Sequence, residues 1–124
     1  MNIHASEENY LETILVLNQR QGNVKSIDVV RELGFTKASV SVAMKNLRLK
    51  GYIEVDTDSF IKLTPEGLVI AAKIYERHTV ISKLLSNIGV DSKIADEDAC
   101  RIEHVISEES FKALKKFVKD RYSN

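Results

Sequence analysis

The sequence has 124 residues, 44% of them hydrophobic and 29% charged, with 18 basic and 18 acidic side chains and so no formal net charge. That is enough apolar material for one core and a small second one, and too little net charge for a generic polyanion binder. No run approaches the roughly 20 apolar residues that span a bilayer, and the opening MNIHASEEN lacks a basic-then-apolar signal pattern, so a cytoplasmic chain without a membrane partner is expected.

One proline and five glycines among many Leu, Ile, Val, Glu and Lys residues point to a mostly helical protein. Ser6, Glu7 and Glu8 before Tyr10, Leu11, Ile14, Leu15 and Leu17 predict an amphipathic helix capped at Ser6 and ending near Gly22. A short helix over Ser26–Leu33 follows, with Ser26 as cap, Ile27, Val30 and Leu33 inward, and Gly34 as the turn. Thr36 caps a third helix that turns Val40, Ala43, Met44 and Leu47 inward, and Gly51 closes it. Helix, short glycine turn and helix is the spacing of a helix-turn-helix, whose second helix enters the DNA major groove.

Beyond Gly51 the pattern changes to two β-rich runs, Tyr52–Val55 and Phe60–Leu63, around a polar turn: a small hairpin, or wing. Thr64-Pro65-Glu66 supplies a cap, a proline at the first helical position and an acid in the first turn, opening a long helix to about Asn87. A helix capped at Asp91 or Ser92 is predicted to run on through Ile102, Val105 and Ile106, and a last one starts at Ser107-Glu108-Glu109. The apolar faces of these two helices need a partner, and a homodimer is expected. The predicted architecture is mostly α with a small β wing: a winged helix-turn-helix over residues 1–64 and a helical dimerisation domain over 65–124, the domain to which most of the metal-binding residues taken up below belong.

Charge is distributed unevenly. Between Arg20 and Lys50 there are seven basic side chains against two acidic, and between Asp91 and Ser110 seven acidic against two basic. The basic segment contains the third helix, whose short outward residues Thr36, Ser39 and Ser41 allow close approach to bases and phosphates while Lys37 and Lys45 supply charge. Ala38 and Val42 can meet thymine methyl groups, and Lys25 is placed for a phosphate. Double-stranded operator DNA is the expected partner. Without paired arginines for bidentate guanine contacts, specificity is expected to come from two half-sites read by a dimer.

Cys100 is the single cysteine, which excludes an intramolecular disulfide. In Cys100-Arg101-Ile102-Glu103-His104 the thiol, carboxyl and imidazole recur at i, i+3 and i+4, on one helical face. Thiolate, carboxylate and imidazole together suit Mn(II), Fe(II), Co(II) or Zn(II) better than the all-oxygen shell of Ca(II) or Mg(II). His78 stands on the preceding long helix, and Asn9 and Glu12 share a face of the first helix.

The ordered blocks SEENYLETILVL, SIDVVRELGFTKASVSVAMKNLRLKGYIEVD, LTPEGLVIAAKIYERH and DACRIEHVIS resemble the iron- and manganese-dependent repressors of the DtxR/MntR family, over essentially residues 5 to 120. The two-domain form resembles the manganese transport regulators in length. The resemblance implies a metal site to which both domains contribute, with Glu103, His104 and His78 as ligands, Cys100 as the ligand of the iron-type branch and Glu12 as that of the manganese-type branch. Asn9 stands where iron-type members carry methionine and manganese-type members aspartate. Ser82 and Asp96 stand where the iron-type branch places a glutamate and a histidine of a second site. The expected function is operator binding activated by Mn(II) or Fe(II), with Zn(II) or Co(II) as further candidates.

Two other readings are distinguishable from it. A winged-helix dimer could bind DNA without metal control, for which the neutral Asn9 speaks. Alternatively, a Cys/Glu/His shell with an open position could activate water in a metalloenzyme. The sequence has no glycine-rich phosphate loop, no HExxH and no nucleophile paired with a base, so an enzyme is not expected.

Overall fold

The computed structural model describes residues 4–122. Six helices and one two-stranded sheet follow in the order α1 (Ala5–Gln21), α2 (Ser26–Leu33), α3 (Lys37–Leu49), β1 (Ile53–Val55), β2 (Ile61–Leu63), α4 (Pro65–Asn87), α5 (Ser92–Ile102) and α6 (Glu108–Tyr122). They divide into two compact units, residues 1–72 and 73–124, so that α4 begins in one and continues into the other. Among the described residues, no helix is long and apolar enough to cross a membrane.

The first unit is a winged helix-turn-helix. Leu11, Ile14 and Leu17 of α1 pack with Val29 of α2, Val40, Met44 and Leu47 of α3, and Ile53 and Ile61 of the wing. Gly34 adopts the left-handed conformation (φ 70°) that ends α2, and its N–H donates to the Val30 carbonyl at 2.8 Å. Thr36 Oγ1 then accepts from the Ser39 N–H at 3.1 Å, capping α3 as its position predicts. In the wing, Ile53 pairs with Leu63 and Val55 with Ile61 in antiparallel register. Asp56 Oδ1 closes the loop by accepting from the N–H groups of Asp58 and Phe60.

Thr64 joins the wing to α4 with one hydroxyl, which donates to the Gly51 carbonyl at 2.6 Å and accepts from the Gly67 N–H at 3.1 Å. Gly67 is buried against the wing's entry: a Cβ there would lie 2.0 Å from the Tyr52 carbonyl oxygen. Only glycine fits.

In the second unit Ile74 and Ile81 of α4, Ala95 and Ala99 of α5, and Phe111 and Val118 of α6 are buried. The Asp91 carboxylate accepts from the Lys93 N–H to cap α5, and Ser107 Oγ accepts from the Ser110 N–H to open α6.

Several local expectations are corrected. α1 starts at Ala5, with His4 as the cap residue whose N–H donates to Glu7 Oε1; Ser6 lies inside the helix. Lys25, rather than Ser26, occupies the cap position of α2, and Asp28 accepts from its N–H at 2.8 Å. In both cases an acid at the third helical position reaches back, and that contact outweighs the capping preference of the nearby serine. The fully buried residue of α2 is Val29, whereas Ile27, Val30 and Leu33 are half-buried. Finally, α5 stops at Ile102, and Val105 lies beyond it, 80% exposed. An apolar period had carried the helix too far.

Candidate metal centre and nucleic-acid interface

Cys100 occupies the last turn of α5, Glu103 is its C-terminal cap and His104 lies in the turn that follows. Glu103 retains α-helical dihedrals and donates its N–H to the Ala99 carbonyl at 2.9 Å. The sequence-predicted face therefore survives by one residue of local geometry, and a donor atom from each of Cys100, Glu103 and His104 lies within 4.8 Å of the others.

The centre of the group is the Glu103 carboxylate, which is fully buried. Its Oε1 is 2.9 Å from His78 Nδ1 on α4, and its Oε2 is 3.4 Å from His104 Nε2. Oε2 makes no hydrogen bond. A buried carboxylate oxygen without a hydrogen bond is costly unless a cation meets it. The hydrogen bond to Glu103 raises the pKa of His78, burial opposes the rise, and the charges of Glu103 and Asp96 add to it. Proton and metal would thus compete for one electronegative cleft. Two imidazoles, a thiol and an otherwise unsatisfied buried carboxylate fit a borderline divalent cation.

Asp96 and Ser82 come together beside this group. Ser82 Oγ donates to Asp96 Oδ1 at 2.5 Å, and the same oxygen is 3.6 Å from His78 Nε2. Asn9 and Glu12 lie three residues apart on α1 in the first unit; the Asn9 carbonyl accepts from Thr13 Oγ1 at 2.8 Å.

In the first unit, Thr36, Lys37, Ala38, Ser39, Ser41, Val42 and Lys45 are all exposed, Val42 to 60%. Thr36 Oγ1 already serves as the α3 cap and donates to Ser39 Oγ at 2.9 Å. Lys25, Ser41 and Lys45 line an open groove of about 640 Å³ between α2, α3 and the wing, together with Arg48 and Ser59. Lys25 Nζ lies 5.2 Å from the Phe60 ring centroid, which places it against the wing.

Arg48 and Ser59 were absent from the expected contact set. Arg48 was legible as the residue three after Lys45, on the same helical face. Ser59 was not, because its position depends on the hairpin turn, where it takes φ 68°. Arg20 is paired with Glu32 and Lys50 with Glu7, whereas among the described residues Lys37, Lys45 and Arg48 have no carboxylate partner. The outer face of α3 thus carries three cations without a carboxylate partner among the described residues.

Residues 2–60 match the model described as iron dependent repressor, N-terminal DNA binding domain, and residues 64–123 match iron dependent repressor, metal binding and dimerisation domain. The chain belongs to the iron-dependent repressor family. It is 33% identical over 115 residues to an HTH-type transcriptional regulator of Methanocaldococcus jannaschii, covering 91% of this chain and 92% of that one. With the transcriptional regulator MntR of Escherichia coli O6:H1 it shares 33% identity over 110 residues, 89% of this chain and 71% of the relative. The solved structure of the manganese regulator SloR superposes with a TM-score of 0.81 at 25% identity, over 91% of this chain and 53% of SloR. The chain thus spans about half the length of SloR.

This member of the family carries the domains of a metal-dependent transcriptional regulator, one for DNA and one for metal and dimerisation. The family is one of regulators and not of enzymes, so the metalloenzyme alternative falls.

Proposed function

We propose that the chain is a repressor that binds operator DNA as a homodimer when Mn(II) or Fe(II) is bound, with Zn(II) or Co(II) able to occupy the same ligands. The observation that carries the metal part is the buried Glu103 carboxylate, bracketed by His78 and His104, with one oxygen lacking any hydrogen bond. Cys100, Glu103, His104 and His78 hold the cation from the second domain. Glu12, with Asn9 beside it, completes the shell from α1. This part is supported by the resemblance of the SEENYLETILVL block and by the three-residue spacing of the two side chains. A bound divalent cation supplies positive charge to the carboxylate and thiolate and a coordination sphere for ligands of both domains.

The residues of the first 64 positions do the DNA work. Lys25, Lys45 and Arg48 meet phosphates from the groove that they line. Exposed Ala38, Ser39, Ser41 and Val42 present small polar and apolar surfaces to base edges, and Lys37 adds charge at the start of α3. Exposed Ile88, Ile94 and Val105 of the second domain support burial against a second copy. Ligands drawn from both domains favour one arrangement of the two recognition helices, and DNA affinity rises by the same coupling.

Thermal unfolding tests the metal part. Ligation restricted to the folded state stabilises by about 2.7 kcal/mol when free metal is a hundred times its dissociation constant. A rise in Tm with Mn(II) or Fe(II) that is reversed by a chelator is expected. A Tm indifferent to every divalent transition metal would remove the metal site.

A further inference from the structure

The turn that presents Glu103 and His104 has an anchor of its own. Arg77, next to His78 on α4, is 7% exposed. Its Nη1 donates to the carbonyl of Glu103 at 3.2 Å and to that of Ile106 at 2.9 Å. Its Nη2 donates to Glu108 Oε2 at 3.2 Å, an oxygen that Lys73 Nζ holds from the other side at 2.9 Å. The guanidinium carbon lies 5.5 Å from the centroid of the Phe111 ring.

These contacts are specific to a fork. α5 ends at Ile102 and α6 begins at Glu108, so the Glu103 and Ile106 carbonyls fall between the helices, outside the regular pairing of interior carbonyls; Ser107 is already tied into α6, its carbonyl accepting from the Phe111 N–H. A planar guanidinium can satisfy two such carbonyls and a carboxylate at once, whereas an ammonium is a point charge on a flexible stem. The cost is visible, because Arg77 Nε is buried without a hydrogen bond. For packing alone, an apolar side chain of similar volume would hold α4 against α6 at least as well. The return on a buried arginine here is a fixed course for residues 103–107.

We propose that Arg77 is a positioning residue for the metal centre, holding the turn that carries Glu103 and His104 in ligand-ready form before metal arrives. The inference rests on the proposed metal reading and adds a requirement to it. Glu103 and His104 stand at the end of a helix and beyond it, so helix geometry alone does not fix them. Arg77 ties them to the helix that carries the third ligand, His78.

Two measurements on the full chain test this. In the first, Co(II) is titrated by visible absorption into the wild-type protein, Arg77→Lys and Arg77→Met, with circular dichroism to verify folding. The expected result is unchanged helix content, altered ligand-field bands and a loss of Co(II) affinity of about tenfold or more, the scale for outer-shell partners of metal ligands. Wild-type protein that binds no Co(II) would overturn the metal reading and the inference with it. Wild-type binding matched by folded variants, within about twofold and with unchanged bands, would overturn the role of Arg77 alone.

The second measurement needs no variant and keeps the inference open to refutation if the variants do not fold. Amide hydrogen exchange is followed in metal-free wild-type protein at Val105 and Ile106, whose N–H groups donate to the Ile102 carbonyl at 3.0 Å. A preformed turn protects both amides without metal. Unprotected exchange that becomes protected only on adding metal would overturn the proposal.

Discussion

Glu103 concentrates the chemistry at the scale of single residues. Its carboxylate is buried, one oxygen meets His78, and the other makes no hydrogen bond. Glu103→Gln removes the charge that draws a cation while preserving volume. It should weaken Mn(II) or Co(II) binding by more than the roughly 10–100-fold that loss of an outer-shell partner costs. The Tm of the metal-free protein should stay level or rise at a pH where His78 is neutral, because a buried charge has been removed, and fall at lower pH, where protonated His78 loses its counter-charge. Calorimetric metal titration beside thermal unfolding checks both halves; a lowered metal-free Tm at the higher pH with intact metal affinity would make Glu103 structural. Asn9 carries the opposite prediction: Asn9→Asp supplies a charged oxygen in place of a neutral amide and should tighten metal binding, which the same titration reads. The Cys100, Glu103 and His104 spacing was legible because i, i+3 and i+4 is a property of local sequence. Arg77 was not, since its partners are main-chain carbonyls 26 and 29 residues away and a lone arginine reads as surface.

At the scale of elements, α3 and its neighbours give the clearest predictions. Lys45 is exposed, lines the groove between α3 and the wing, and has no carboxylate partner among the described residues. Lys45→Ala should weaken DNA binding similarly across sequences and reduce the slope of log affinity against log salt by about 1. An unchanged slope would remove Lys45 from the interface. Gly67→Ala places a methyl 2.0 Å from the Tyr52 carbonyl oxygen, which cannot yield without moving the entry to β1. It should destabilise the first unit by at least about 1–3 kcal/mol, the usual cost of overpacking, measurable by urea unfolding. The order and type of all eight elements followed from periodicity, glycines and the Thr64-Pro65 start. Helix ends were less legible: Glu7 and Asp28 reach back to residues earlier than the serines that looked like caps. Val24 is buried without belonging to any apolar period, because its carbonyl accepts from the Ile61 N–H of the wing at 2.7 Å, a pairing 37 residues distant in sequence.

At the scale of the whole molecule, the chain joins a winged helix-turn-helix with a basic segment around its third helix to a helical domain with an acidic segment around a buried carboxylate that lacks a full set of partners. Family membership makes these the DNA-binding and the metal-binding and dimerisation domains. What the proposed function adds is the coupling: metal bound by ligands of both domains must favour the arrangement that binds DNA, by a free energy that the two equilibria share. Cys100 and Glu12 were readable as ligands of two different branches, but metal preference is a difference between whole coordination shells, and residue types alone do not sum to it. The most direct measurement is the affinity of the dimer for a DNA fragment selected from a random-sequence pool, in chelator and in Mn(II) or Fe(II), at one fixed salt concentration. The proposed mechanism predicts tighter binding with metal by about 5–150-fold, the range of typical coupling energies, and loss of that gain in Glu103→Gln. Equal affinity with and without metal in the wild-type protein would contradict it.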